Sequence, residues 1–266
     1  MNTLAPVRFS NLKLLGQSPA HYKHRIDTQE SGKRRAMTVG TVAHSMVLGG
    51  FDAVVYPGKV RNGKVWEAFK AERIKADPNV LILLQSEHDA AAGCARSIQR
   101  HKNAMYLLEG VHEAELAAWD WAGRPCGGRP DCVAPKWITE LKTSATSEPW
   151  RFTRMGLRMH YHGQLAWYLD GNEARGGTAR EAYIVAVETV PPYVVTCFEV
   201  TPKALDAGRR QNVLWMEELR RCEASDHWPG YTQAGAVFDI PDDEEDVALT
   251  FGDEAGNDSS GLEEVA

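Results

Sequence analysis

Asp131 is followed, after eight residues, by Glu140-Leu141-Lys142. If Asp131 ends one strand and Glu140 lies on the next, the two carboxylates converge at one end of a sheet. Paired carboxylates make an oxygen-rich site suited to a hard cation such as Mg²⁺. Lys142 stands two residues after Glu140, so on a strand it points to the same face. An ammonium there can orient a metal-bound water or favour its deprotonation, which suits attack on a phosphodiester. The same spacing also describes a solvated strand edge with a Glu/Lys pair.

Three further features stand around this segment. Gly40-Thr41-Val42-Ala43-His44 puts a histidine one helical turn after a small residue; a polar side chain satisfied within a helix is the plain alternative. Glu115 opens a β-rich stretch just upstream of Asp131, with the nearby Glu113 competing for any role. Gln164 and Tyr168 are spaced i, i+4, so on a helix they share a face and can reach one phosphate or base. An amphipathic helix with a half-buried tyrosine gives the same pattern.

The elements that must position these residues follow from the punctuation of the chain. Ser10 and Ser18-Pro19 read as helix starts. Met37–Leu48 reads as a helix stopped by Gly49-Gly50. Helices are also expected near Val65–Ala76 and from Ser86 to about Asn103. From Glu113 to Thr143, short β-rich runs separated by Gly/Pro turns predict a β-meander. One long helix is expected from Pro149 to Gly171, with Gln164 and Tyr168 on it. Two strands, Glu181–Val187 and Tyr193–Val200, flank Pro191-Pro192, and Thr201-Pro202 opens a helix to about Ala224. This order predicts an α/β fold, a mixed sheet flanked by helices.

The chain has 266 residues, 43% apolar and 25% charged. These are ordinary globular values that exclude global disorder. No run approaches the length of a membrane span. The first residues lack a secretory pattern, which predicts a cytoplasmic protein. Cys94, Cys126, Cys132, Cys197 and Cys222 form no CxxC, which fits reduced, structural thiols. No phosphate loop and no zinc-finger spacing is present. The net charge of −6 is unevenly spread. Residues 241–266 hold ten carboxylates and no Lys or Arg, and setting them aside leaves residues 1–240 at +4. A basic body with an acidic tail suits a nucleic-acid binder, although a solvated tail that aids solubility has the same composition. One domain over 1–240 is expected, with residues 1–50 its helical N-terminal part and 241–266 a disordered tail. Basic residues recur at Lys33, Arg34 and Arg35 and at Arg151, Arg154 and Arg158. The last three are spaced i, i+3, i+7, a single helical face that can track phosphates or simply face solvent.

The ordered set G-x3-H, E, G-R-P-D, E-L-K, Q-x3-Y resembles the PD-(D/E)xK nucleases. It looks closest to the RecE-like exonuclease branch (exodeoxyribonuclease VIII), with lambda exonuclease and the RecB/AddB nuclease domains more distant. Ser10-x-Leu12, Ser18-Pro19-Ala20-His21-Tyr22, Ala36-Met37 and Trp228-Pro229-Gly230-Tyr231 extend the resemblance over residues 8–232. The resemblance implies a restriction-endonuclease-like core that cleaves DNA with Mg²⁺, or with Mn²⁺ as a substitute. Asp131 and Glu140 would be metal ligands, joined by the Leu141 carbonyl and supported by Glu115 and His44. Lys142 would position or activate water. Gln164 and Tyr168 would hold the substrate strand, and Arg129 would touch the DNA backbone or pair with a carboxylate. Glu115 is preferred to Glu113 because Glu115-Leu116-Ala117-Ala118-Trp119 fits the family's strand better. A 5′-phosphate pocket is implied, with Arg25, Arg34 and Arg35 as candidates. The cysteine spacing gives no iron–sulfur cluster.

By the same resemblance the substrate is linear double-stranded DNA, resected 5′ to 3′ for recombination or repair. The partner is a RecT-like single-strand annealing protein, the assembly a ring-shaped homo-oligomer, and the host a bacterium carrying a phage or prophage. The alternatives are a DNA-binding scaffold that keeps the fold without turnover, and an endonuclease of the same fold.

Overall fold

The computed structural model describes residues 5–28, 37–50, 53–78 and 80–232. The chain begins with a short strand β1 (Val7–Arg8), a helical turn α1 (Phe9–Leu12), a 3₁₀ turn over Lys13–Gly16, and α2 (Pro19–Thr28). Ser18 caps α2: its hydroxyl meets His21 Nδ1 at 2.7 Å and accepts the His21 N–H. Ser10 lies inside α1 rather than ahead of it. Then follow α3 (Met37–Leu48), β2 (Val54–Tyr56), α4 (Gly63–Ala76), β3 (Ile82–Leu84), α5 (Gln85–Arg100) and α6 (Lys102–Leu107). The helix expected over Ser86 to Asn103 is therefore interrupted at His101, whose ring accepts from Ala104 N and starts α6.

The remaining elements are β4 (Val111–His112), β5 (Leu116–Trp121), β6 (Arg124–Gly128), β7 (Cys132–Val133), β8 (Trp137–Ser144), α7 (Pro149–Arg158), α8 (Tyr161–Ala174), β9 (Glu181–Glu188), β10 (Val195–Glu199) and α9 (Pro202–Ser225). A five-stranded sheet has the order β10-β9-β8-β7-β4. Only its β8–β9 pairing is parallel, bridged by α7 and α8. A three-stranded sheet has the order β1-β6-β5, and β2 pairs with β3.

The expected single meander is thus corrected. The β5–β6 hairpin, closed by Ala122 and Gly123 in left-handed conformation, belongs to the smaller sheet. Strands β7 and β8 belong to the larger one. Between β6 and β7 lies Pro130, which has no N–H to continue a ladder.

Alternation along β8 and β9 divides the interior into two layers. Ile138, Ala182, Ile184 and Ala186 face a cluster with Phe152 of α7, Leu165 and Leu169 of α8, and Met216 and Leu219 of α9. Leu141, Val185 and Val187 face a second cluster with Val42 of α3, Cys94 and Ile98 of α5 and Leu107 of α6. Glu140 and Lys142 share the parity of Ile138, so the α8 side of the sheet turns from apolar to ionic partway along one strand.

The expected long helix is two helices. Met159 and His160 separate α7 from α8, and His160 holds a left-handed φ of 61° while its carbonyl accepts from Gln164 N. All five cysteines are free. Among the described residues, no helix is long and apolar enough to cross a membrane. Residues 241–266 lie outside the described part, as do Lys33, Arg34 and Arg35.

Candidate active site

Asp131 is the residue before β7, not the end of a strand. The antiparallel register, Cys132 opposite Thr139, puts it across from Glu140. Two hydrogen bonds lock this juxtaposition: Asp131 N donates to Glu140 Oε1 (3.1 Å), and Leu141 N donates to Asp131 Oδ2 (2.8 Å). Lys142 Nζ donates to Glu140 Oε2 at 2.6 Å. The proximity expected from strand parity is met by a direct contact.

Helices close the site from both faces. His44 of α3 sits with Nδ1 3.7 Å from Asp131 Oδ2. Its approach depends on Gly40, where a Cβ would lie 2.7 Å from Thr143 Oγ1 on β8. From α8, Gln164 Nε2 lies 3.1 Å from both Glu140 Oε2 and the Tyr168 hydroxyl. Tyr161, at the start of α8, places its ring under Lys142 Nζ, 5.1 Å from the centroid.

The electrostatics follow from burial. Burial and then Asp131 push the Glu140 carboxyl up to about 7, against the pull of Lys142. Burial also raises Asp131, opposed by Lys142 and the Leu141 N–H. Burial works against the Lys142 ammonium, but Glu140 and Asp131 outweigh it and hold its pKa above the ordinary lysine value. Burial, then Lys142, push His44 down to about 4, so its ring is neutral near pH 7. Lys13, in the 3₁₀ turn, is lowered by burial and then by the Lys142 ammonium.

A cleft of about 710 Å³ opens over this cluster, lined by His44, Glu113, Arg129, Leu141, Lys142, Thr143 and Tyr161 among others. The structure does not bring Glu115 to it. Strand β5 begins at Leu116, β1 runs beside β6, and Glu115 pairs with Arg8 at 2.6 Å on the surface. Glu113 lines the cleft instead. It takes a left-handed φ of 51°, donates its N–H to Asp131 O, and pairs with Arg129 at 2.8 Å. Arg129 thus meets a carboxylate, one of the two roles anticipated for it.

Arg151, Arg154 and Arg158 are exposed on α7 and do not line the cleft. Arg25 lies on α2, away from the cleft lining. Sequence reasoning missed Tyr161, Thr143 and Lys13. Only Thr143 carried a signal, being the next residue after E-L-K.

Among the described residues, no three His, Cys, Asp or Glu side chains already converge on one point. The donor set nevertheless fits a hard cation. Glu140 is buried and Asp131 half-buried, and they face one ammonium and a neutral imidazole, so ionisation of Glu140 leaves the cluster with net negative charge in a poorly solvated place. The residues that would hold the ion are Asp131, Glu140 and the Leu141 carbonyl, with His44 and Glu113 beside them.

Comparison with solved structures gives a candidate exonuclease from Eubacterium rectale, with a TM-score of 0.58 and 14% identity, covering 93% of each chain. An alkaline exonuclease from Laribacter hongkongensis scores only 0.27 at 13% identity, covering 70% of this chain and 93% of its own. No curated protein matches. PD-(D/E)xK nucleases generally use divalent metal ions. The model of the PDDEXK-like domain of unknown function (DUF3799) matches residues 8–239. With its Asp131, Glu140 and Lys142 joined at the centre of a matching mixed α/β fold, the chain belongs to that family and to the PD-(D/E)xK nuclease superfamily.

Proposed function

We propose that the protein is a divalent-metal-dependent deoxyribonuclease that resects linear double-stranded DNA from its ends. The observation that carries this reading is the joined set of Asp131, Glu140 and Lys142, closed by Gln164 and open to a cleft with Arg129 at its mouth. Mg²⁺ is the expected ion, with Mn²⁺ as a substitute. When bound, such an ion supplies Lewis acidity at the phosphoryl oxygen and a water of lowered pKa.

The chain's own residues do the rest. Lys142, held charged by its two carboxylates, orients the attacking water and faces the charge developing on the phosphate. Gln164 keeps Glu140 in place and the Tyr168 hydroxyl beside it. Arg129 exchanges Glu113 for a backbone phosphate of the substrate. Polarity of 5′ to 3′, a ring-shaped assembly and delivery of the product to a RecT-like annealing protein complete the proposal, and these rest on family resemblance.

The test is digestion of linear duplex and closed circular DNA with Mg²⁺, beside EDTA and Lys142→Ala controls. Loss of linear DNA alone, stopped by both controls, is the expected result. Equal loss of the circle makes the protein an endonuclease. No cleavage by folded protein overturns the reading in favour of a binding scaffold.

A further inference from the structure

Trp150 is 63% exposed at the start of α7, an unusual place for the largest apolar side chain. Arg154, one turn later, lays its guanidinium over the indole at 4.9 Å from the ring centroid. At about 100° per residue, Leu157, Trp150, Arg154, Arg158 and Arg151 fall within an arc of about 120°. The opposite face is buried: Phe152 stacks on Phe198 at 4.7 Å, and Gly156 packs against Tyr161. Among the described residues, no carboxylate forms a salt bridge with Arg151, Arg154 or Arg158, although Glu148 lies near enough to Arg151 for their charges to interact. Glu148, the nearest acid in sequence, spends both oxygens on the N–H groups of Trp150 and Arg151.

The helix is fixed relative to the cleft. It starts five residues after Ser144, the last residue of β8, and Ser144 Oγ meets Met155 Sδ at 3.7 Å. It ends just before Tyr161, whose ring underlies Lys142. The face from Trp150 to Arg158 is about 12 Å long, which matches about three to four nucleotides at stacked spacing. Unpaired guanidiniums are complementary to phosphates. The indole face that Arg154 does not cover can stack on a base with a free face, which a single strand offers and a duplex interior does not.

We propose that this outer face of α7, Trp150 with Arg151, Arg154 and Arg158, binds a single strand of nucleic acid leading to or from the cleft, with one base on the Trp150 indole and phosphates on the guanidiniums. The inference rests on the nuclease reading for the identity of the strand, but the face does not need catalysis to bind.

The experiment is fluorescence anisotropy in EDTA, with a labelled oligothymidylate of about 15 nucleotides and a blunt duplex hairpin of similar length. Trp150→Ala weakens single-strand binding about tenfold and duplex binding less than about twofold, and Trp150→Tyr restores most of the loss. Equal weakening on both probes, or none on the single strand, overturns the proposal. Unchanged single-strand affinity with an altered elution volume makes the face a contact between copies instead. Cleavage with Mg²⁺ is scored separately, so a failed nuclease reading and a failed stacking face give different patterns.

Discussion

Arg129 and Glu113 meet at 2.8 Å across the mouth of the cleft, and each lies within a few residues of Asp131 in space or sequence. Both side chains keep substantial exposure, so the pair itself contributes little to stability, about 0–1 kcal/mol. Its value lies in what each partner can be released to do. Glu113→Gln is expected to weaken Mn²⁺ binding and to slow cleavage about tenfold or more, whereas Glu115→Gln changes both less than about twofold. Calorimetric Mn²⁺ titration beside an activity assay decides it, and the opposite ranking would return the role to Glu115.

Glu140 makes the metal-free protein sensitive to pH. A carboxyl whose folded pKa is raised stabilises the fold below its ordinary value of 4.5, and that contribution is lost as pH rises through about 7. Glu140→Gln removes the effect. Between pH 5 and pH 8 in EDTA, the variant should therefore gain stability relative to the native chain, by on the order of 3 kcal/mol at the upper end. Urea melts at both pH values measure this, and a difference that does not grow with pH refutes it. A saturating divalent ion should cancel the dependence in the native chain only.

Removing Lys142 acts in the opposite sense. Lys142→Ala leaves Asp131 and Glu140 buried together without a cation, at a cost of about 3 kcal/mol at pH 8. The loss should shrink toward pH 5, where Glu140 takes up a proton. Cleavage should fall about a hundredfold or more at any pH.

Gly40→Ala separates helix propensity from close approach. Alanine is favoured over glycine inside a helix by about 1 kcal/mol, so an unconstrained site would gain stability. The contact with Thr143 Oγ1 instead forces α3 outward and draws His44 away from Asp131. We expect activity to fall about tenfold, and Gly40→Ala with Thr143→Ala to recover most of it. If the single variant is fully active, α3 can move without cost to the site.

Legibility in the sequence followed local rules. The two-residue strand period foretold Glu140 and Lys142 on one face, and the i, i+4 period foretold the Gln164–Tyr168 contact. The larger errors came where distant chain decided the outcome. His160 breaks the predicted long helix without a proline or glycine at the break: it takes a left-handed conformation, with its ring edge-on to Trp215 of α9 at 4.9 Å between centroids, a contact between residues far apart in the chain. Glu115 looked better placed than Glu113 while β5 was pictured as starting one residue earlier. The parallel pairing of β1 with β6 brings Arg8 to Glu115, and no local pattern announces it. The division of the strands into two sheets was hidden for the same reason.

Strand β8 carries apolar residues for both interior layers and the charged pair on alternating positions. Its length is therefore as constrained as its composition. One inserted residue between Trp137 and Glu140 would drive both charges into the layer of Cys94, Ile98 and Leu107 and turn the Leu141 side chain toward the layer of Leu165 and Leu169. Point substitutions along β8 grade activity and stability in steps, whereas a single-codon insertion or deletion there is an all-or-none lesion. Length variation among natural relatives should accordingly collect in the turns on either side of this strand and spare its interior.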